Sequence, residues 1–142
     1  MGKLRSVLKR SSDVLLAAST LWCFAIIAAP VFEWTWVDEM THEIFRRICH
    51  QDPSRSWHLA GEPLPVCIRC ASIYFAFTAS LWLGLKMNVR WLRVSVVLLV
   101  CEFIFARLVF DDALLRSLSG ILVGLSAAPF VRRAFEEMQD AM

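Results

Sequence analysis

The sequence predicts an all-α integral membrane protein: a single domain over residues 1–142 built as a bundle of about four transmembrane helices, with an interfacial helix and a short cysteine-bearing loop. Three observations carry that prediction. The chain is 58% hydrophobic with a mean hydropathy of +0.56, more apolar surface than a water-soluble domain of this size buries. Apolar stretches recur at lengths close to the ~20 residues that cross ~30 Å of hydrocarbon as a helix. The connections between the last three stretches are only a few residues long, which forces antiparallel neighbours. The net charge of +2 leaves no broad basic field with which to hold a nucleic acid.

The first span is 14–37, VLLAASTLWCFAIIAAPVFEWTWV, ending in Trp34 and Trp36 at interfacial depth. Lys3, Arg5, Lys9 and Arg10 ahead of it resemble the basic region of a signal peptide. The apolar run is too long for one, and aromatic residues follow it. The further spans are 66–85, 91–110 and 113–131. Pro30 and Pro129 fall near span ends, where a kink is tolerated in a membrane bundle. Gly120 and Gly124, extended by Ser117 and Ala128, make a stripe of small residues that lets the last helix approach a neighbour closely.

The basic residues Lys3, Arg5, Lys9, Arg10, Lys86, Arg90, Arg93, Arg132 and Arg133 all fall on one side of this arrangement. The other side holds Arg46, Arg47, Arg55, Arg69 and Arg116 together with Glu33, Asp38, Glu39, Glu43, Asp52, Glu62, Asp111 and Asp112. By the positive-inside rule both termini are cytoplasmic and the loop 38–65 faces outward, in a multi-pass protein of the bacterial cytoplasmic (inner) membrane.

Within that loop, DEMTHEIFRRICH over 38–50 places Met40, Ile44, Phe45 and Ile48 at helical spacing, the pattern of an amphipathic helix lying on the membrane surface and ending at His50. Pro53, Gly61, Pro63 and Pro65 break the remainder into turns, with 56–59 and 64–67 able to pair as a tight hairpin.

Five cysteines divide into two kinds. Cys23 and Cys101 sit in apolar runs and read as small core hydrophobes. Cys49-His50 and the hook Cys67-Ile68-Arg69-Cys70 stand among polar residues, separated by a turn-rich loop, as the two halves of a structural zinc site do. The hook supplies two sulfurs and Cys49 with His50 completes a tetrahedron for zinc, or for another soft or borderline metal. Adjacent helical residues point about 100° apart, so both Cys49 and His50 ligate only if the helix stops there. Cys70 and Arg69 in the first turn of a helix favour the thiolate. A disulfide between Cys49 and one hook cysteine is the competing arrangement, given an outward, oxidising location. Gln51 is a candidate hydrogen-bond partner of the site; His42 and His58, single histidines in polar loop sequence, are weaker candidates as ligands. No catalytic residue is assigned.

Cys49-His50-Gln51-x-Pro53-x-Arg55-Ser56, Pro65-x-Cys67-x-Arg69-Cys70-x-x-Ile73-Tyr74 and Arg116-x-x-x-Gly120-x-x-x-Gly124 together resemble a family of small bacterial multi-pass membrane proteins of unknown function. The resemblance covers about residues 45–125, and Ser72 stands where members often carry Gly. It implies a multi-helix membrane fold and a functional cysteine–histidine cluster.

Glu102 falls near the middle of the third span, where an ionised carboxylate costs at least ~2.5 kcal/mol. Arg107 is about 140° round the helix from it, whereas Arg107 with Asp111, and Asp112 with Arg116, are four residues apart and share a face. Either these charges climb toward the cysteines as an ion path, or Glu102 is protonated and hydrogen-bonded to a neighbouring helix while the arginines snorkel.

Three functions fit. The first is a noncatalytic or regulatory membrane protein whose outward loop is pinned by metal. The second is a thiol–disulfide oxidoreductase that uses Cys67, Cys70 and Cys49 and passes electrons to a membrane quinone. The third is an accessory subunit that docks on other membrane subunits, or on itself, through Gly120 and Gly124. The lipid bilayer is a partner in all three.

Overall fold

The computed structural model describes the backbone of residues 2–31, 35–49, 51–109 and 112–140. The described residues are predominantly helical: α1 (Gly2–Val31), α2 (Thr35–Arg46), α3 (Ile68–Leu83), α4 (Val89–Leu108) and α5 (Ala113–Asp140). A 3-10 turn at Pro53–Arg55 and two short strands, β1 (His58–Leu59) and β2 (Glu62–Pro63), occupy the loop between α2 and α3.

Local sequence explains three of the boundaries. Helix α3 stops at Gly84, whose φ of 60° places it in the left-handed region, and Leu85 donates its N–H to the Ser80 carbonyl at 3.1 Å. That closure satisfies carbonyls the helix end would otherwise orphan. Asn88 caps α4 by accepting the Arg90 N–H at 3.2 Å, and the Asp112 carboxylate accepts the Leu114 N–H at 2.7 Å at the start of α5. The short links make α3, α4 and α5 an antiparallel series, as the sequence predicts.

Helix α3 packs most extensively against α5, which also meets α4 and α1. The small-residue stripe is the reason. A Cβ added at Gly120 would stand 2.7 Å from the Arg69 carbonyl oxygen and 2.9 Å from Ser72 Cβ, and one at Gly124 would run into the Ile73 carbonyl oxygen. Only glycine lets the two backbones come that close. Ala128 extends the buried stripe, whereas Ser117 is half-buried and turns its hydroxyl back to the Ala113 carbonyl. Hydroxyls tie the same interfaces: Ser80 Oγ donates to the Leu125 carbonyl at 3.0 Å, and the Ser95 and Ser126 hydroxyls meet at 2.7 Å.

The outer surface of the bundle is apolar. Leu21, Leu83, Leu108 and Leu114 are 67%, 70%, 78% and 72% exposed, an arrangement suited to hydrocarbon and unfavourable in water. Two helices, Ser12–Val31 and Ala113–Met138, have the length and hydropathy of membrane spans, and Ile68–Leu83 is apolar but shorter. At 16 residues α3 is about 24 Å long. Helix α4 has the length, at 20 residues, but carries Arg90, Arg93, Glu102 and Arg107.

Three local expectations are corrected. Helix α2 ends at Arg46, short of His50; a turn at Arg47–Ile48 follows, in which Ile48 and Cys49 both donate to the Phe45 carbonyl at 3.0 and 2.8 Å. The hairpin is tighter than a pairing of 56–59 with 64–67: His58 faces Pro63 and Leu59 faces Glu62. Ala60 and Gly61 make the two-residue turn with φ of 56° and 93°, the backbone a primed turn demands. The third correction is Cys101, which is exposed on the bundle surface, whereas Cys23 is buried as expected.

Candidate metal centre

The two halves of the cysteine motif meet. Helix α2 is amphipathic, and it buries Phe45 against Trp22 of α1, the rings meeting edge to face with centroids 4.8 Å apart. Phe45, Ile26, Leu64, Val66 and Ala71 form one buried cluster that includes Cys49, with Cys67, Cys70 and Tyr74 packed at its edge. This small core draws the end of α2, the loop and the first turn of α3 together at one end of the bundle.

The sulfurs of Cys49, Cys67 and Cys70 all lie within 4.8 Å of one another, and none is in a disulfide. Cys67 is the N-cap residue of α3, with extended φ and ψ of −67° and 159°. A residue there normally turns its side chain onto the helix amides. Cys67 makes no such bond, and its backbone N–H donates to Cys49 Sγ at 3.2 Å. Hydrogen bonds from the Cys67 side chain first, and then from that of Cys70, hold the Cys49 thiol far below the ordinary thiol range. A thiolate there is what a metal needs.

The donor set fits zinc. Four bonds of about 2.3 Å at tetrahedral angles put sulfurs roughly 3.8 Å apart, so three sulfurs within 4.8 Å need only a small inward movement to share one ion. His50, the expected fourth ligand, lies outside the described residues.

Gln51 secures the loop. Its backbone reverses there, with φ of 50°, and its side-chain amide donates to the His42 carbonyl at 2.8 Å and to the Pro65 carbonyl at 2.9 Å. One side chain thus staples α2 to the segment that enters α3. Asp52 caps the 3-10 turn, accepting from the Ser54 hydroxyl at 2.7 Å and its N–H at 3.0 Å; these bonds, the hydroxyl foremost, hold its carboxyl below the usual range. Arg55 sits 3.4 Å from the Asp52 carboxylate on the loop surface.

Glu102 has a partner 33 residues away in sequence. Arg69, the third residue of the hook, forks onto it: Nε donates to Oε2 at 3.0 Å and Nη2 to Oε1 at 2.9 Å. Ser119 of α5 donates to the same carboxylate at 3.3 Å. The guanidinium of Arg69 lies over the Phe103 ring at 5.4 Å, and that of Arg107 over the same ring at 5.8 Å. Arg116 is buried at the start of α5. Asp111 lies outside the described residues. Glu102 therefore belongs to an ion pair that reaches back to the hook. An acid in an apolar helix demands a counter-charge, and the first turn of the antiparallel neighbour supplies it.

His58 is exposed on β1, and His42 contributes its carbonyl to Gln51.

No solved structure matches the chain. It is 22% identical over 152 residues to an uncharacterized protein of Methanocaldococcus jannaschii, an alignment that covers 92% of this chain and 96% of that one. It is 32% identical over 93 residues to an uncharacterized protein of Methanothermobacter thermautotrophicus, covering 59% and 84% respectively. The profile of the family described as "Predicted membrane protein (DUF2085)" matches residues 49–130, a segment that begins at Cys49 and contains the hook, the Arg69–Glu102 pair and both stripe glycines. The chain belongs to this family of predicted membrane proteins.

Proposed function

We propose that the chain is a noncatalytic, multi-pass membrane protein whose outward loop is pinned to the mouth of α3 by a metal ion, zinc by preference, held by Cys49, Cys67, Cys70 and His50. The observation that carries this reading is the convergence of three free cysteine sulfurs, from two distant segments, within 4.8 Å. When bound, zinc would supply a fixed tetrahedral crosslink and no redox chemistry. The residues supply the rest: Phe45 and Trp22 seat the end of α2, Gln51 holds the loop, and the Cys67 N–H stabilises charge on the Cys49 sulfur.

In this reading α1, α3, α4 and α5 are the four spans, both termini are cytoplasmic and the membrane is the cytoplasmic one. The apolar outer surface supports the spans, and the distribution of basic residues supports the orientation. The test is X-ray absorption at the zinc edge on protein purified in mild detergent. A first shell of three sulfurs and one nitrogen at 2.0–2.3 Å is expected; protein with no bound metal, or with an all-oxygen shell, would contradict the reading.

The thiolate character of Cys49 beside two further thiols favours a second reading, a thiol–disulfide exchange centre coupled to a membrane quinone. Counting free thiols in whole cells before and after mild reduction separates the two: a cluster that never leaves the reduced state excludes exchange.

A further inference from the structure

We propose that Glu102 is the positioning residue of the cysteine hook, holding Arg69, and through it the first turn of α3, in the rotation that turns Cys67 and Cys70 toward Cys49. The inference rests on the metal-site reading and deepens it, since it assigns the site a partner on a helix that contributes no ligand.

The geometry of a helix start makes such a partner necessary. Cys67 is the N-cap of α3 and does not cap it with its side chain, so the usual bond that locks the first turn is missing. In a helix Arg69 projects about 100° from Cys70. Its guanidinium reaches Glu102 on α4, so it holds the turn from a face other than that of Cys70.

That hold is specific. A bidentate guanidinium–carboxylate fork fixes a plane as well as a distance, and this one closes at 3.0 and 2.9 Å. The carboxylate is itself held by the Ser119 hydroxyl of α5, and its side chain is only 8% exposed. The Phe103 ring lies beneath the guanidinium. On the backbone side, the Arg69 carbonyl presses on Gly120 with no room for a Cβ. One residue between two candidate ligands is thus fixed to α4 by its side chain and to α5 by its main chain. Rotation of the turn would break the fork or strike α5, and either motion would carry the two sulfurs away from Cys49.

The test uses the full chain in detergent, stripped of metal, with two probes. The first is zinc, titrated in competition with a chelator. The second is phenylarsine oxide, a trivalent arsenical that condenses with two neighbouring thiols, releasing water and forming two As–S bonds without any change of oxidation state. Glu102→Gln and Arg69→Met are each expected to weaken zinc binding by about 10- to 100-fold, as loss of the groups that orient ligands does elsewhere, and to weaken arsenical capture in parallel at unchanged helicity. The charge swap Arg69→Glu with Glu102→Arg is expected to recover most of that loss, a result that general destabilisation would not give. Glu102→Asp, which keeps the charge but shortens the reach, carries the same expectation should Glu102→Gln not fold.

Wild-type binding of both probes by Glu102→Gln, or a swap no better than the single variants, would overturn the proposal while leaving the metal site standing. Arsenical capture that depends on Glu102 in a wild-type protein that takes no zinc would uphold the positioning role and overturn the metal reading.

Discussion

The backbone N–H of Cys67 donates to the sulfur of Cys49 at 3.2 Å, across eighteen residues of sequence. This bond joins the two halves of the motif without any metal, and it places an amide dipole on a sulfur already bonded by two neighbouring thiols. The hydrogen bonds from the Cys67 and Cys70 side chains, with the amide adding to them, hold the Cys49 thiol well below the pH at which an ordinary cysteine ionises.

A group whose pKa is depressed in the fold is charged throughout the range above that value, so Cys49 is already deprotonated at pH 6. In metal-stripped protein its alkylation rate is expected to stay flat from pH 6 to 9. Glutathione in the same tube, with an ordinary thiol near 8.5, gains about tenfold per pH unit over the lower part of that range. Mass spectrometry of the Cys49 peptide reads the rate; a tenfold rise per unit at Cys49 would contradict the hydrogen-bonded arrangement.

Gln51 offers a second check. Its amide makes two bonds that join α2 to the α3 entry, each worth about 1 kcal/mol net. Gln51→Ala is expected to cost about 2 kcal/mol in detergent unfolding, and Gln51→Glu, which keeps the shape but loses both donors, at least as much. A Gln51→Glu variant as stable as wild type would show that these bonds do not hold the loop.

The α3–α5 contact predicts a cost for the smallest side chain. Gly120→Ala brings a methyl group to 2.7 Å from the Arg69 carbonyl oxygen, and backbone cannot swing aside as a flexible side chain would. Overpacking of this kind costs about 1–3 kcal/mol, and here it also moves the hook. Thermal unfolding together with zinc affinity checks both effects. Unchanged stability and affinity would mean that α5 does not brace the turn.

Much of this was legible in the sequence, and the parts that were not share a cause. The apolar runs, the short links and the Gly120–Gly124 stripe announced the helical bundle, because period, length and residue size are local properties. Cys49 and the Cys67–Cys70 hook announced themselves by ligand type and spacing. The end of α2 at Arg46 was not readable, since the turn that displaces it is set by Phe45 packing on Trp22 of another helix. The Arg69–Glu102 pair was hidden for the same reason: its members are 33 residues apart, and their meeting depends on how far α3 and α4 overlap. Arg69 looked like a local influence on a neighbouring thiol, whereas its side chain points away toward α4.

If Cys49, Cys67 and Cys70 together hold one metal ion, metal content per chain across the cysteine variants reads it out. Elemental analysis is expected to find one zinc per wild-type chain, retained in Cys23→Ser and Cys101→Ser and lost in Cys49→Ser, Cys67→Ser and Cys70→Ser. A wild-type chain without metal, or a Cys67→Ser chain that keeps its full complement, would contradict the account.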